Sequence, residues 1–176
     1  GISLSVNGVI RSLGTELLPV TITTSDTALN WGQISHQGTQ PSLYQYTFIC
    51  KAGRAPGEGH TGSGPAIRLN NSALTLESCV ISDLTAGGST IGKIMLASGA
   101  DLNVRNCVFT RARMGPEIAG TALLCTDSYF LDMNGPDDAD GIYLHDSGGR
   151  QLRVSGCVFA GGDDDAVDTL DANVSI

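Results

Sequence analysis

Three stretches of the chain share one pattern: ALTLESCVI at 73–81, DLNVRNCVF at 101–109 and QLRVSGCVF at 151–159. The common form is L-x-[LV]-x-x-C-V-[IF]. Apolar residues alternate with polar ones, the two-residue period of a strand that buries one face. LLCTDSYF at 123–130 fits with Leu123, Cys125, Ser128 and Phe130 in the four inward slots. PSLYQYTF at 41–48 fits through Leu43, Tyr46 and Phe48, VTITTS at 20–25 reads as an earlier copy, and NVSI at 173–176 opens another. Anchored on the cysteine slot, the copies stand at positions 46, 79, 107, 128 and 157.

A second apolar strand precedes these copies: AIRL at 66–69, KIML at 93–96, GIYL at 141–144 and AVDTL at 166–170. Gly, Asn, Ser and Asp lie between the strands, and these are turn residues. No stripe of helical period runs longer than two turns. Short strands recurring at this spacing build a coil whose successive turns stack ~4.8 Å apart. One turn cannot bury its inner face alone, so neighbours do it for each other. The expectation is an all-β parallel β-helix solenoid of about six or seven rungs, one domain over residues 1–176, with KAGRAPGEGHTGSG at 51–64 as a long loop. A β-sandwich is the competing architecture, but the Asn-Gly pairs at 7–8 and 134–135 do not join two clean strands. Val174 falls in the Leu152 slot, so the last copy stops before its cysteine position. The coil is therefore expected to be a fragment, or one whose open C-terminal edge is covered by self-association or by a missing segment.

Composition narrows the partners. The net charge of −8 is local: residues 1–136 hold 9 acids and 8 bases, whereas 137–176 hold 9 aspartates and 2 arginines. Such a field excludes nucleic acid and anionic membranes and favours cations. No apolar run approaches the length of a membrane span. The opening GISLSVNGVIRSLG lacks a signal-peptide pattern and reads as mature protein or as a piece of a longer one. The five cysteines show no metal-ligand spacing. Three of them share one slot, which suits reduced thiols packed in the core.

The repeat, with its Gly/Asn/Asp turns, resembles the right-handed parallel β-helix superfamily. Pectate lyases, polygalacturonases and many secreted bacterial β-helix repeat proteins belong to it, so the resemblance implies a right-handed coil at the cell surface or outside the cell. DADGIYL at 138–144 followed by GGDDDAVD at 161–168 is similar to two polygalacturonase motifs, Asn-Thr-Asp-Gly-Ile and Gly-Asp-Asp. On that match Asp140 takes the place of the first acid, and Asp163 with Asp164 that of the pair. Asp138 and Ala139 stand where the family has Asn and Thr, Asp165 stands where it has Cys, and the later Gly-His-Gly and Arg-Ile-Lys motifs are absent. LPVTITTSDTALNWGQI at 18–34 is similar instead to the first rungs of the repeat proteins, which implies a module without catalysis.

Aligning Ile142 with Val167 on successive rungs places Asp140 over Asp165, Asp138 over Asp163 and Tyr143 over Asp168. Like charges at that spacing repel unless water screens them, a cation binds or one is protonated. Three readings stand side by side. In the first, Asp140, Asp163 and Asp164, with His145 as helper, hydrolyse a polysaccharide as paired acid and base. In the second, Asp138, Asp140, Asp163 and Asp165 supply oxygens to calcium, and a basic residue would make such a site a calcium-dependent polysaccharide lyase. In the third, the aspartates form a solvated corner. His36 and His60 are expected to lie in glycine-rich loops with no partner pattern, and Trp31 to pack an early corner. Together these features suggest a structural or carbohydrate-interacting module with an acidic, calcium-binding edge, the polygalacturonase-like hydrolase being the alternative.

Overall fold

The computed structural model describes residues 1–26, 28–38, 40–86 and 88–176. Thr27, inside the 18–34 stretch, lies outside them. The described residues contain no helix, so none is long and apolar enough to cross a membrane. The chain is all-β. Its strands stack in parallel in three long sheets, an arrangement compatible with a parallel β-helix.

The first sheet holds seven strands: Leu4–Val6, Ile34–Gln37, Gly64–Asn70, Gly92–Ser98, Met114–Ala119, Ile142–His145 and Val167–Leu170. The second also holds seven: Arg11–Leu13, Ser42–Gln45, Ala73–Glu77, Asp101–Arg105, Ala122–Thr126, Leu152–Ser155 and Val174–Ser175. The third holds six: Val20–Ile22, Thr47–Cys50, Val80–Ser82, Val108–Ala112, Tyr129–Met133 and Val158–Ala160. The chain visits the three sheets in turn. One short antiparallel pair, Thr85–Ala86 with Ser89–Thr90, stands apart.

Register turns the repeat into columns. Leu74, Leu102, Leu123 and Leu152 stack in one, and Leu76, Val104, Cys125 and Val154 in the next. In the third sheet Ile81, Phe109, Phe130 and Phe159 line up, with ring centroids 5.1 Å apart for Phe109–Phe130 and 4.8 Å for Phe130–Phe159. Cys79, Cys107, Ser128 and Cys157 precede these strands in equivalent places, and all five cysteines are reduced. Burying such columns is what stabilises the coil, at roughly 1.5–3 kcal/mol for each large apolar side chain.

Corners explain the polar half of the repeat. Tyr46, Ser78, Asn106, Asp127 and Gly156 lie between the second and third sheets, and all have φ between 43° and 64°. A single left-handed residue there bends one strand into the next, and Asn, Asp and Gly tolerate that conformation best. Tyr46 therefore occupies the corner and not an inward slot. The inward residues of this copy are Ser42, Tyr44, Thr47 and Ile49, because Tyr44 pairs with Leu76 and Ile49 with Ile81. The expected slots at Leu43, Tyr46 and Phe48 are thus shifted by one residue. The shift brings Tyr44 inside, where its hydroxyl lies 3.1 Å from His36 Nε2, while Ser42 Oγ lies 3.4 Å from Nδ1. His36 is in a strand, not a loop, and is fully buried beside these partners.

Candidate functional site

The acidic residues converge where the third sheet hands over to the first, in the segments 134–141 and 161–166. Asp140 stands two residues before Ile142–His145, and its backbone is locked on both sides. Its carbonyl accepts from Gly115 N at 2.9 Å, and the neighbouring Gly141 N donates to the Asp165 carbonyl at 2.8 Å. Gly141 is required at this point, because a Cβ would lie 2.5 Å from the Ala166 carbonyl oxygen and 2.6 Å from Phe159 Cδ1. This tight passage leaves Asp140 only 2% exposed, and its Oδ2 is buried without a hydrogen-bond partner among the described residues.

Among the described residues, two sets of carboxylates could hold a metal ion. One oxygen each from Asp140, Asp164 and Asp165 lie within 4.8 Å of one another, and so do those of Asp137, Asp138 and Asp164. Asp164 belongs to both. Asp163 belongs to neither: its N–H donates to the Met133 carbonyl at 3.0 Å, and its Oδ2 accepts from Gly135 N at 3.2 Å. It tethers one corner segment to the other. The strands keep the expected register, with Ile142 beside Val167 and Tyr143 beside Asp168. Ahead of them, the longer 134–141 segment groups Asp138 with Asp164. Burial, and after it the charges of Asp168, Asp164, Asp138 and Asp165, push the Asp140 carboxyl up to about 6. An unpaired carboxylate in such a field binds either a proton or a cation.

A second cluster adjoins the corner on the outer face of the first sheet. Arg68, Leu96, Glu117, Tyr143 and Asp168 occupy successive places along it. The 51–63 loop folds across this face as a strap. Lys93 Nζ donates to the Glu58 carbonyl at 2.8 Å and forms an ion pair with Glu117. Glu117 also accepts from the His60 backbone N–H at 3.0 Å. Gly59 has φ +75°, and a Cβ on it would collide with the Glu117 carboxylate. The His60 ring packs at a tilt of 34° against Tyr143 with centroids 4.6 Å apart and meets Asp138 through Nε2 at 2.9 Å. His145 also stacks on Tyr143, with centroids 4.8 Å apart, and its Nδ1 lies 2.9 Å from Asp146. His145 Nε2 is 3.7 Å from Glu117 and is buried without a hydrogen-bond partner among the described residues. A cleft of about 340 Å³ opens beside it, lined among others by Arg68, Asn70, Ser98, Glu117 and His145.

Of the residues expected from sequence, Asp140, Asp164 and Asp165 come together, and Asp138 joins them through Asp164. His145 lies on the adjacent face, and Asp163 is turned to a structural task. Sequence reasoning missed Lys93 and Glu117, and it gave Tyr143 and His60 no part in a site. The contact of a loop with a sheet across 57 residues leaves no local trace. Glu117 did leave one signal. The spacing of 21 residues between Cys107 and Ser128 is a full turn of the coil, so a strand had to lie before Ala122. MGPEIA is that strand. Trp31 packs an early corner, as expected, with its Nε1 donating to the Cys50 carbonyl at 2.8 Å. No family profile, curated protein or solved structure matches the chain.

Proposed function

We propose that this chain is a right-handed parallel β-helix module of six or seven rungs, secreted or displayed at a cell surface, that binds calcium at its acidic corner. Asp140 carries the reading: a carboxylate buried to 2% exposure, with an unpartnered oxygen, grouped within 4.8 Å of Asp164 and Asp165. Calcium takes six to eight oxygens from carboxylates, carbonyls and water at about 2.3–2.6 Å. Two exposed aspartates and one buried one supply three such oxygens, and water would complete the shell. A bound cation would also offset the burial and, after it, the repulsion that raise the Asp140 carboxyl. The cleft beside His145 supports a carbohydrate-interacting role. With so acidic a rim, a polysaccharide bearing carboxylates would engage it through the cation.

Titration calorimetry at pH 7.5 tests the proposal. Calcium should bind the native chain and the Asp163→Asn variant alike, and binding should be lost in Asp140→Asn and Asp165→Asn. Absence of binding to the native chain would refute it.

A polygalacturonase-like hydrolase is the second reading, favoured by one observation. An Asp140 carboxyl near 6 is poised as a general acid. Inverting hydrolysis wants its two carboxyl groups about 6.5–9.5 Å apart to admit a water, whereas the grouped oxygens here lie within 4.8 Å. That spacing suits a shared cation better. Reducing-end release from polygalacturonate that disappears in Asp140→Asn would reverse the preference.

A further inference from the structure

Cys125 and Cys157 face each other across neighbouring turns of the coil with their sulfurs 3.7 Å apart. Cys125 lies in the inward column between Val104 and Val154. Cys157 stands one position before the Val158–Ala160 strand, which pairs with Tyr129–Met133. The two thiols differ in access: Cys125 is 1% exposed, and Cys157 is half-buried. A disulfide needs the sulfurs at roughly 2.05 Å, so the pair has less than 2 Å to close. The other thiols are placed differently. Cys79 and Cys107 are also neighbours, but both are fully buried and out of an oxidant's reach. Cys50 is half-buried with Ser82 Oγ beside it at 3.5 Å.

We propose that Cys125 and Cys157 are an oxidisable pair, which a low-molecular-weight disulfide converts into an intrachain bond stapling two successive turns of the coil. The Cys157 thiolate attacks one sulfur of the oxidant. The oxidant's S–S bond breaks, one thiol departs after taking a proton, and a mixed disulfide remains on Cys157. Cys125 then gives up its proton to solvent, and its sulfur attacks Cys157 Sγ, expelling the second thiol. Two electrons leave the pair, and one disulfide becomes two thiols. The second step is the slower one, because burial and the neighbouring Cys157 push the Cys125 thiol up. The staple falls where packing thins. Val158–Ala160 has no buried residue, whereas Val108–Ala112, two turns earlier, has three.

The test uses the whole chain in a Cys50→Ser background, incubated with oxidised glutathione at pH 8 and then alkylated under denaturing conditions. The expected product has lost two hydrogens, carries alkyl groups only on Cys79 and Cys107, and yields a crosslinked peptide joining 125 to 157. Its Tm should rise by roughly 5 °C or more, the effect of closing a loop of this size. Cys125→Ser should stop at a glutathione adduct on Cys157, which also shows that the half-buried thiol reacts first. Cys157→Ser should leave Cys125 alkylated and free of glutathione. Both variants are checked by circular dichroism before use. The proposal is overturned if the starting protein keeps all its thiols, if it stops at the mixed disulfide, or if the crosslink maps to another pair.

Discussion

Replacing Glu117 by Gln should cost this protein a large part of its stability, for a reason that is electrostatic and local. Lys93 is fully buried, and its ammonium has two partners, the Glu117 carboxylate and the Glu58 carbonyl. Burial, and after it the charge of Arg68, pulls the Lys93 ammonium below the usual lysine range, and Glu117 works against that pull. The amide keeps the shape of the carboxylate and can still accept from the His60 N–H, but it leaves a buried cation without its counter-charge. Breaking a buried pair by removing one partner costs about 3–5 kcal/mol. For a chain of this length each kcal/mol moves Tm by roughly 2–4 °C, so the fall should be about 6–20 °C. The strap should loosen as well, because Glu117 anchors it through His60 and Lys93 anchors it through Glu58. Limited proteolysis should then cut near Arg54. The double variant Lys93→Met with Glu117→Gln removes both charges and should recover most of the loss, since an apolar replacement of a buried pair is often close to neutral. Thermal melts of the four proteins complete the cycle. A Glu117→Gln protein within 2 °C of the native Tm (less than about 1 kcal/mol), or a double variant as unstable as the sum of the singles, would refute the reasoning.

Acid should destabilise the chain through His36. Burial lowers its imidazole to about 4, from 6.5. The unfolded chain therefore takes up a proton that the folded one refuses, so stability is lost as pH falls from about 6.5 toward 4, by about 3 kcal/mol in all. A His36→Gln variant should show a flatter decline of Tm over that window. Gly141→Ala should destabilise the corner by more than about 2 kcal/mol, since its Cβ meets the Ala166 carbonyl oxygen at 2.5 Å. Urea unfolding measures it, and a neutral result would mean that the two corner segments are not packed as described.

Much of this architecture is written in the chain, and the reason is periodicity. Leu74, Leu102, Leu123 and Leu152 announce themselves as one column because each begins the same two-residue alternation. Where the alternation carries polar side chains, the reading slips. Tyr44 looks like one of several tyrosines until its hydroxyl is seen to meet His36, and that contact decides which face turns inward. Met114–Ala119 escaped notice because Gly115, Pro116 and Glu117 are poor strand residues. The strand persists because a parallel neighbour pairs with it on each side. The acidic corner was legible as a set of residues and not as a geometry. The register of Asp140 against Asp165 follows from the strands, but which aspartates share an ion depends on the length of the 134–141 segment. The strap was not legible at all. A glycine-rich loop carries no pattern that says where it lands, and His60 acquires its role from Tyr143 and Asp138.

The central claim is that Asp140, Asp164 and Asp165 form one cation site. Thermal melts at pH 7.5, with and without millimolar calcium, on the native chain and on Asp140→Asn test it most directly, because a ligand that binds only the native state must raise its Tm. The account predicts a rise of several degrees for the native chain and none for Asp140→Asn, whose calcium-free Tm should exceed that of the native chain once the buried charge is gone. An unchanged Tm for the native chain, or an equal rise in the variant, would contradict it.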